Sequence, residues 1–301
     1  MSPLILSALS TVALLAPCGD ALAQAASNGW SFETKMGLRG QGEADIDGGG
    51  SVESSAGVLQ FGARYGISPR SSVGVSVELG QGRYDFTDTA RFGKDMEFRS
   101  DVLSLSYGFG VGDRGFGFVA PSVRWDGETG ADADDAMTYG LSLGVAWRVS
   151  PSLTIGPALG LQTTLEDGTE AFPFLLVNWD ITPRLNLSTG EGLGATQGPG
   201  LALRYAATDT VSIGIAARVE DVEFRLHDNR SGAAAGGTAR DRSFPVVATL
   251  GWSPSDWFDL TAFAGVETNA DFTLRDSGGS RIAQRDYDNA PIVGLVVAAS
   301  F

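Results

Sequence analysis

From Trp30 to the last residue the chain alternates apolar and polar side chains with a period of two, and no segment carries the 3.6-residue period of a helix. Residues 138–149 show it cleanly. Tyr139, Leu141, Leu143, Val145, Trp147 and Val149 fall on one face, and Thr138, Gly140, Ser142, Gly144, Ala146 and Arg148 on the other. The contrast recurs with Trp30, Phe32, Met36 and Leu38 opposite Glu33, Lys35, Gly37 and Arg39, and with Leu59, Phe61, Ala63 and Tyr65 opposite Gln60, Gly62 and Arg64. Successive side chains of a strand point to opposite faces, so each segment builds a sheet with one apolar and one polar face. Two architectures satisfy that: a soluble sandwich with a dry interior, or a membrane barrel turned inside out. A sandwich exposes mixed charged and Thr-rich residues to water, whereas a barrel confines small and polar ones in a lumen. Here the polar face is Gly, Ser, Ala and Arg and the apolar face is large and edged by aromatics, which favours the barrel.

The connectors decide between them. Tyr65-Gly-Ile-Ser-Pro69, Trp147-Arg-Val-Ser-Pro151 and Trp179-Asp-Ile-Thr-Pro183 repeat one unit, with looser copies at Tyr205–Asp209 and Trp252–Asp256. Each is a strand ending in an aromatic and entering a tight turn, where proline presets φ and cannot continue a ladder. Between them lie longer, acidic, Gly-rich connectors around 44–54, 86–96, 126–136, 165–170, 191–197, 227–241 and 273–285. Short turns alternating with long loops, beside a girdle of aromatics, are the organisation of a transmembrane β-barrel. The expected girdle is Trp30, Tyr65, Tyr107, Trp147, Trp179, Tyr205 and Trp252. Strands are expected near 30–42, 55–65, 72–84, 98–109, 116–125, 138–149, 153–163, 172–179, 184–190, 199–206, 211–226, 243–252, 257–272 and 287–301. The fold class is therefore all-β: an antiparallel up-and-down barrel of about 14 strands, with 12 or 16 as alternatives. Parity slips at Glu220-Asp221 and near Gly80–Arg83 read as bulges or strand ends.

The beginning of the chain reads differently. Residues 2–19 are uncharged and largely apolar, and Ala21-Leu22-Ala23 supplies small residues at a cleavage site, so residues 1–23 read as a signal peptide and 24–301 as the barrel. The segment departs from that pattern in having no Lys or Arg, and a core helix or membrane anchor is the alternative. Cys18 follows Pro17 where a lipoprotein box requires a small residue, so lipidation is not expected. Beyond this segment no apolar run approaches the ~18 residues of a membrane helix. The mean hydropathy of +0.03, which taken alone suggests a soluble globule, averages two unlike faces.

The sequence resembles Gram-negative outer-membrane β-barrel proteins, most sharply at Ala290-Pro-Ile-Val-Gly-Leu-Val-Val-Ala-Ala-Ser-Phe301. Val293, Leu295, Val297 and Phe301 look like the C-terminal signal through which such barrels are assembled, although the family often has an aromatic where this chain has Ala299. The resemblance implies outer-membrane lipid, lipopolysaccharide and the barrel-assembly machinery as partners, and the outer membrane as location. Long-chain fatty-acid transporters are similar in strand number, but the five or so residues expected between the cleavage site and the first strand leave no N-terminal plug.

Assigning the lumen from apolar parity places Lys35, Arg39, Arg64, Arg124, Arg148, Arg204, Arg218 and Arg225 inside, with Glu33, Glu78, Glu223 and Glu267, and with Glu220 undecided. The interior is thus net basic in a chain of formal charge −15, and the acids crowd the loops at Glu43, Asp45, Asp47 and Glu53, at Asp126, Glu128, Asp132, Asp134 and Asp135, and at Glu166, Asp167 and Glu170. An Arg-lined, water-filled lumen favours small polar or anionic solutes. The alternative is a barrel filled by its own side chains, with a structural role or one mediated by its loops, since fourteen strands lie between filled and open sizes. Frequent inward Gly and Ser leave room for a pore. The loop Asp126–Asp135 lacks the closing Glu of a calcium loop and reads as solvated. One Cys and one His exclude a disulfide framework and a multi-cysteine zinc site, and the acidic balance argues against nucleic acid. Catalysis would hang on His227, with Ser243 as a candidate partner across the following loop, and is the least favoured reading. Neither a phosphate loop nor a nucleophile elbow occurs, Gly194-Ala-Thr-Gln-Gly198 is loop punctuation, and no cofactor or enzyme activity is expected.

Overall fold

The computed structural model describes residues 29–301 apart from 90, 91, 94, 167 and 190–199. The expected signal peptide with its cleavage site and Cys18, the run Gly194–Gly198 and Asp167 lie outside the described residues. Sixteen strands and no helix occur among the described residues: β1 (Gly29–Asp45), β2 (Ser51–Ser68), β3 (Ser71–Thr87), β4 (Met96–Val111), β5 (Gly115–Glu128), β6 (Met137–Ser150), β7 (Leu153–Thr163), β8 (Thr169–Thr182), β9 (Leu185–Thr189), β10 (Gly200–Ala206), β11 (Val211–Arg218), β12 (Glu220–Arg225), β13 (Thr238–Ser255), β14 (Phe258–Arg275), β15 (Arg281–Tyr287) and β16 (Ala290–Ser300).

They form a closed barrel of fourteen strands with two extra pieces. Each strand from β1 to β10 pairs antiparallel with the next; β11 then pairs with β13, β13 with β14, β14 with β16, and β16 closes on β1. β12 continues the line of β11 past Val219, since both pair with the same edge of β13, β11 at residues 246–252 and β12 at residues 238–243. β15 stands in the same relation to β16 along β14. The break at Glu220-Asp221 is thus real. That near Gly80–Arg83 is not, because the β2–β3 and β3–β4 ladders run through it in unbroken register.

What changes near Gly80 is the surroundings. Below it Val73, Val75, Val77 and Leu79 point outward and are exposed; above it the outward residues are Gln81, Arg83 and Asp85, while Tyr84 points inward and is buried. The strand keeps its phase and leaves lipid for water. The same reversal explains why several expected loops are strand. β2 begins at Ser51, β13 at Thr238, β14 runs to Arg275, and β15 occupies much of the connector expected at 273–285. Acidic, Gly-rich sequence looks like loop, yet it is the outer face of strands that stand above the membrane.

The lipid-facing band is about nine residues tall, from Phe244 to Trp252 on β13 and from Phe258 to Val266 on β14, close to the 9–11 residues of a membrane-crossing strand. Above it, β5 leaves β6 beyond Trp125 and meets β12, where Gly127 pairs parallel with Arg225. On the other side, the tip of β1 bonds β15 through Asp47 N–H to the Asp286 carbonyl (2.9 Å) and Asp288 N–H to the Asp45 carbonyl (2.9 Å). Strands β12 to β15 and β1 to β5 so close a narrower nine-stranded collar on the long-loop side.

Candidate functional site

The collar is dry inside. Tyr84, Phe92, Phe98, Phe224, Phe272 and Tyr287 are its largest buried side chains. Phe98 stacks on Phe224 at 4.5 Å, and Tyr84 meets Phe272 edge-on at 5.2 Å. Burying each such side chain contributes about 1.5–3 kcal/mol. The Tyr84 and Tyr287 hydroxyls both donate to Asp241, at 2.8 Å each, so its carboxylate is held inside the apolar packing. The interior of the collar is filled by the wall's own side chains.

Beneath the collar lies a charged belt. Arg39 faces Glu267 at 3.7 Å, Arg218 faces Glu220 at 3.9 Å, and the Ser243 hydroxyl donates to Glu267. Arg124 donates from Nε to Asp126 at 3.0 Å and from Nη2 to Ser100 at 3.1 Å. Arg39, Arg124, Arg218 and Glu267, at 6%, 1%, 3% and 0% exposure, are embedded in ion pairs. Glu78 is half-buried between Gln60 and Val102. Toward the short-turn end the lumen is wetter: Lys35 and Glu33 pair at 3.6 Å with partly exposed side chains, Arg64 is half-buried, and Arg148 and Arg204 are exposed.

The inward glycines do not provide the expected room. Gly82, Gly144, Gly160 and Gly294 lie directly across the ladder from Phe98, Phe118, Phe172 and Phe263. In each case a Cβ on the glycine would collide with the partner's ring. Two further apolar clusters therefore narrow the lumen, one around Phe118, Ala146, Ala158 and Leu176, the other around Ala216, Val247, Phe263, Ile292 and Val296.

Glu223 and Arg225 belong elsewhere than expected. The opposite face of β12 carries Val222 and Phe224 into the collar core, so Glu223 and Arg225 point away from it, toward β5–β8. Arg225 anchors β12 by donating to the carbonyls of Asp135 (2.9 Å), Gly236 (3.1 Å) and Leu165. Between β12 and β5–β8 remains a polar recess whose walls include Arg124, Asp126, Thr138, Gln162, Glu170 and Glu223. Burial pushes the Glu223 carboxyl up to about 7; Arg240 opposes that rise, and Asp221, Glu166 and Glu170 reinforce it. Arg240 itself is gripped by Asp221 through two 2.6 Å hydrogen bonds. Thr138 Oγ1 is buried without a hydrogen-bond partner, an omission that costs about 1–3 kcal/mol. Asp221, Arg240 and Asp241 were missed from the sequence because the connector 227–241 was read as loop and 220–221 as a bulge.

All seven expected aromatics are exposed at the short-turn end, from 39% for Tyr65 to 63% for Trp30, joined by Trp257 at 53%. Phe301 stacks on Trp257 at 6.1 Å, and Val293 and Leu295 face outward on β16, whose ladder with β1 also includes Val297. His227 and Ser243 do not come together. Ser243 pairs with Glu220 and His227 lies beyond the far end of β12, about 16 Å or more along the strand direction. His227 instead receives the Asn229 N–H on Nδ1 at 2.8 Å and donates its own N–H to Glu128 at 2.9 Å. The acidic loop is partly used internally: Glu128 pairs with Arg230 at 2.5 Å, and Asp132 accepts from the Asp134 N–H at 2.9 Å.

No protein-family model and no curated protein sequence matches the chain. Among solved structures, an outer membrane channel from Pseudomonas putida F1 superposes with a TM-score of 0.51 over 91% of this chain and 96% of that one, at 10% identity. A FadL homologue of Pseudomonas aeruginosa aligns over 93% and 91% with 13% identity and a TM-score of 0.46. The P. putida toluene transporter TodX aligns over 92% and 91% with 7% identity and a TM-score of 0.45. The first superposition shows a shared fold: a closed, all-β barrel like that of an outer membrane channel.

Proposed function

We propose that this outer-membrane barrel is a channel for small polar solutes that passes them beside the collar, through the recess between β12 and β5–β8. The observation that carries this reading is the contrast between the two halves of the mouth. One is packed with aromatic rings, and the other keeps a polar recess with space for about one water-sized group. The P. putida F1 protein of the same fold, described as an outer membrane channel, supports a transport role. Anion preference is not part of the proposal, because the belt arginines Arg39, Arg124 and Arg218 each face an acid. As found, the recess is narrow, so passage requires β12 to swing away from β5. The dry collar favours a second reading, a closed structural barrel.

Planar-bilayer recording of refolded protein separates them. Discrete openings are expected. A disulfide between Gly127→Cys and Arg225→Cys, which face each other in register, is expected to suppress them until a reductant is added, with each single variant as control. A silent wild-type barrel would establish the closed reading.

A further inference from the structure

We infer that the recess between β12 and β5–β8 is a binding site for a small solute carrying a primary ammonium group. The inference rests on the channel reading and names the class of solute the channel holds. Its walls carry two carboxylates with little claim on their charge. Glu170 and Glu223 share Arg240, at 3.5 and 4.0 Å, and that guanidinium is already engaged at 2.6 Å by Asp221. Two further bases border the recess: Arg124 is held by Asp126 and Ser100, and Arg225 donates to the carbonyls of Asp135, Gly236 and Leu165. When Glu223 is ionised, it and Glu170 have one shared guanidinium between them, so an incoming cation meets an incompletely matched carboxylate.

An independent observation points to the same chemistry. Thr138 Oγ1 lines the recess, belongs to a residue only 2% exposed, and has no hydrogen-bond partner. An ammonium offers three donors on one small centre, which matches two carboxylates and a hydroxyl oxygen. A carboxylate or phosphate ligand would bring negative charge against Glu170 and Glu223. A bare metal ion fits less well, because among the described residues no three acidic, His or Cys side chains are grouped closely enough to hold one.

Ligand-observed NMR on the refolded barrel in detergent tests this, with ethylammonium as probe, propionate as its anionic counterpart and Mg²⁺ as competitor. Ethylammonium is expected to show saturation transfer, at least tenfold weaker in the Glu170→Gln/Glu223→Gln double variant and several-fold weaker in Thr138→Val. Propionate is expected to give none, and millimolar Mg²⁺ to compete poorly. Binding that is indifferent to all three substitutions, preference for propionate, or full displacement by Mg²⁺ would each overturn the assignment. Thr138→Val changes no charge and keeps the side-chain volume, so it reports on the site even where the double variant folds poorly. Ethylammonium binding by a barrel that never conducts would sink the channel reading while sparing the site.

Discussion

A glycine facing a phenylalanine across a ladder is the residue-scale device that fills this lumen. Four inward pairs use it, and in each the ring covers the backbone that the missing Cβ leaves bare. Gly160 makes the point testable. Replacing a strand glycine with alanine normally gains about 0.4–1 kcal/mol by restricting the unfolded chain. Gly160→Ala is expected to do the reverse, costing about 1–3 kcal/mol as Phe172 is forced from its place. Gly40→Ala, where an added Cβ meets nothing within 4 Å, is expected to be neutral or slightly stabilising. Urea midpoints of the two variants decide it. The alternation in a single strand identified Gly82, Gly144, Gly160 and Gly294 as small and Phe98, Phe118, Phe172 and Phe263 as large. It could not say which stood opposite which, because register between strands is not written in either one alone. Inward glycines therefore read as space when they are contact surface.

At the scale of elements, β12 concentrates what the sequence did and did not disclose. Its existence as strand was legible, since 211–226 alternates; its departure from the wall at Val219 was visible only as a slipped parity. With one face on the collar core and the other on the recess, both faces of β12 are covered, so apolar pattern cannot assign them. The connectors at 227–241 and 273–285 were misread for the related reason that a strand standing above lipid carries its polar residues outside. Glu223 gives this element a pH signature. Its carboxyl is raised to about 7 from an ordinary value near 4.5, so the folded state holds its proton more tightly than the unfolded one. The stability this contributes is full below about pH 4.5 and is lost as pH rises to about 7, at up to ~1.4 kcal/mol per unit. Glu223→Gln is expected to flatten that part of the profile, measured by denaturant unfolding between pH 4.5 and 8. An unaltered slope would remove Glu223 as its source.

Taken as a whole molecule, the barrel obeys two solvents in succession. The lower ring presents Trp30, Phe61, Leu105, Leu143 and Leu250 to lipid, while the collar hides Tyr84, Phe224 and Phe272 from water. The ring and its strand number follow from the alternation because an apolar outer face imposes a strict period of two on every strand. The collar follows from tertiary closure, β5 meeting β12 and β15 meeting β1, and that lies beyond any single segment. The two parts are expected to unfold separately in urea when the protein sits in a bilayer. Near-ultraviolet dichroism from the packed Tyr84 and Tyr287 should be lost first and the fluorescence of girdle tryptophans later; coincident loss would show one cooperative unit. The reversal on β3 also sets the tolerance of this chain to change. A serine is costly on the outward side at Leu79 and, five residues higher, on the inward side at Tyr84, so any map of permissible substitutions must flip hand partway up each long strand.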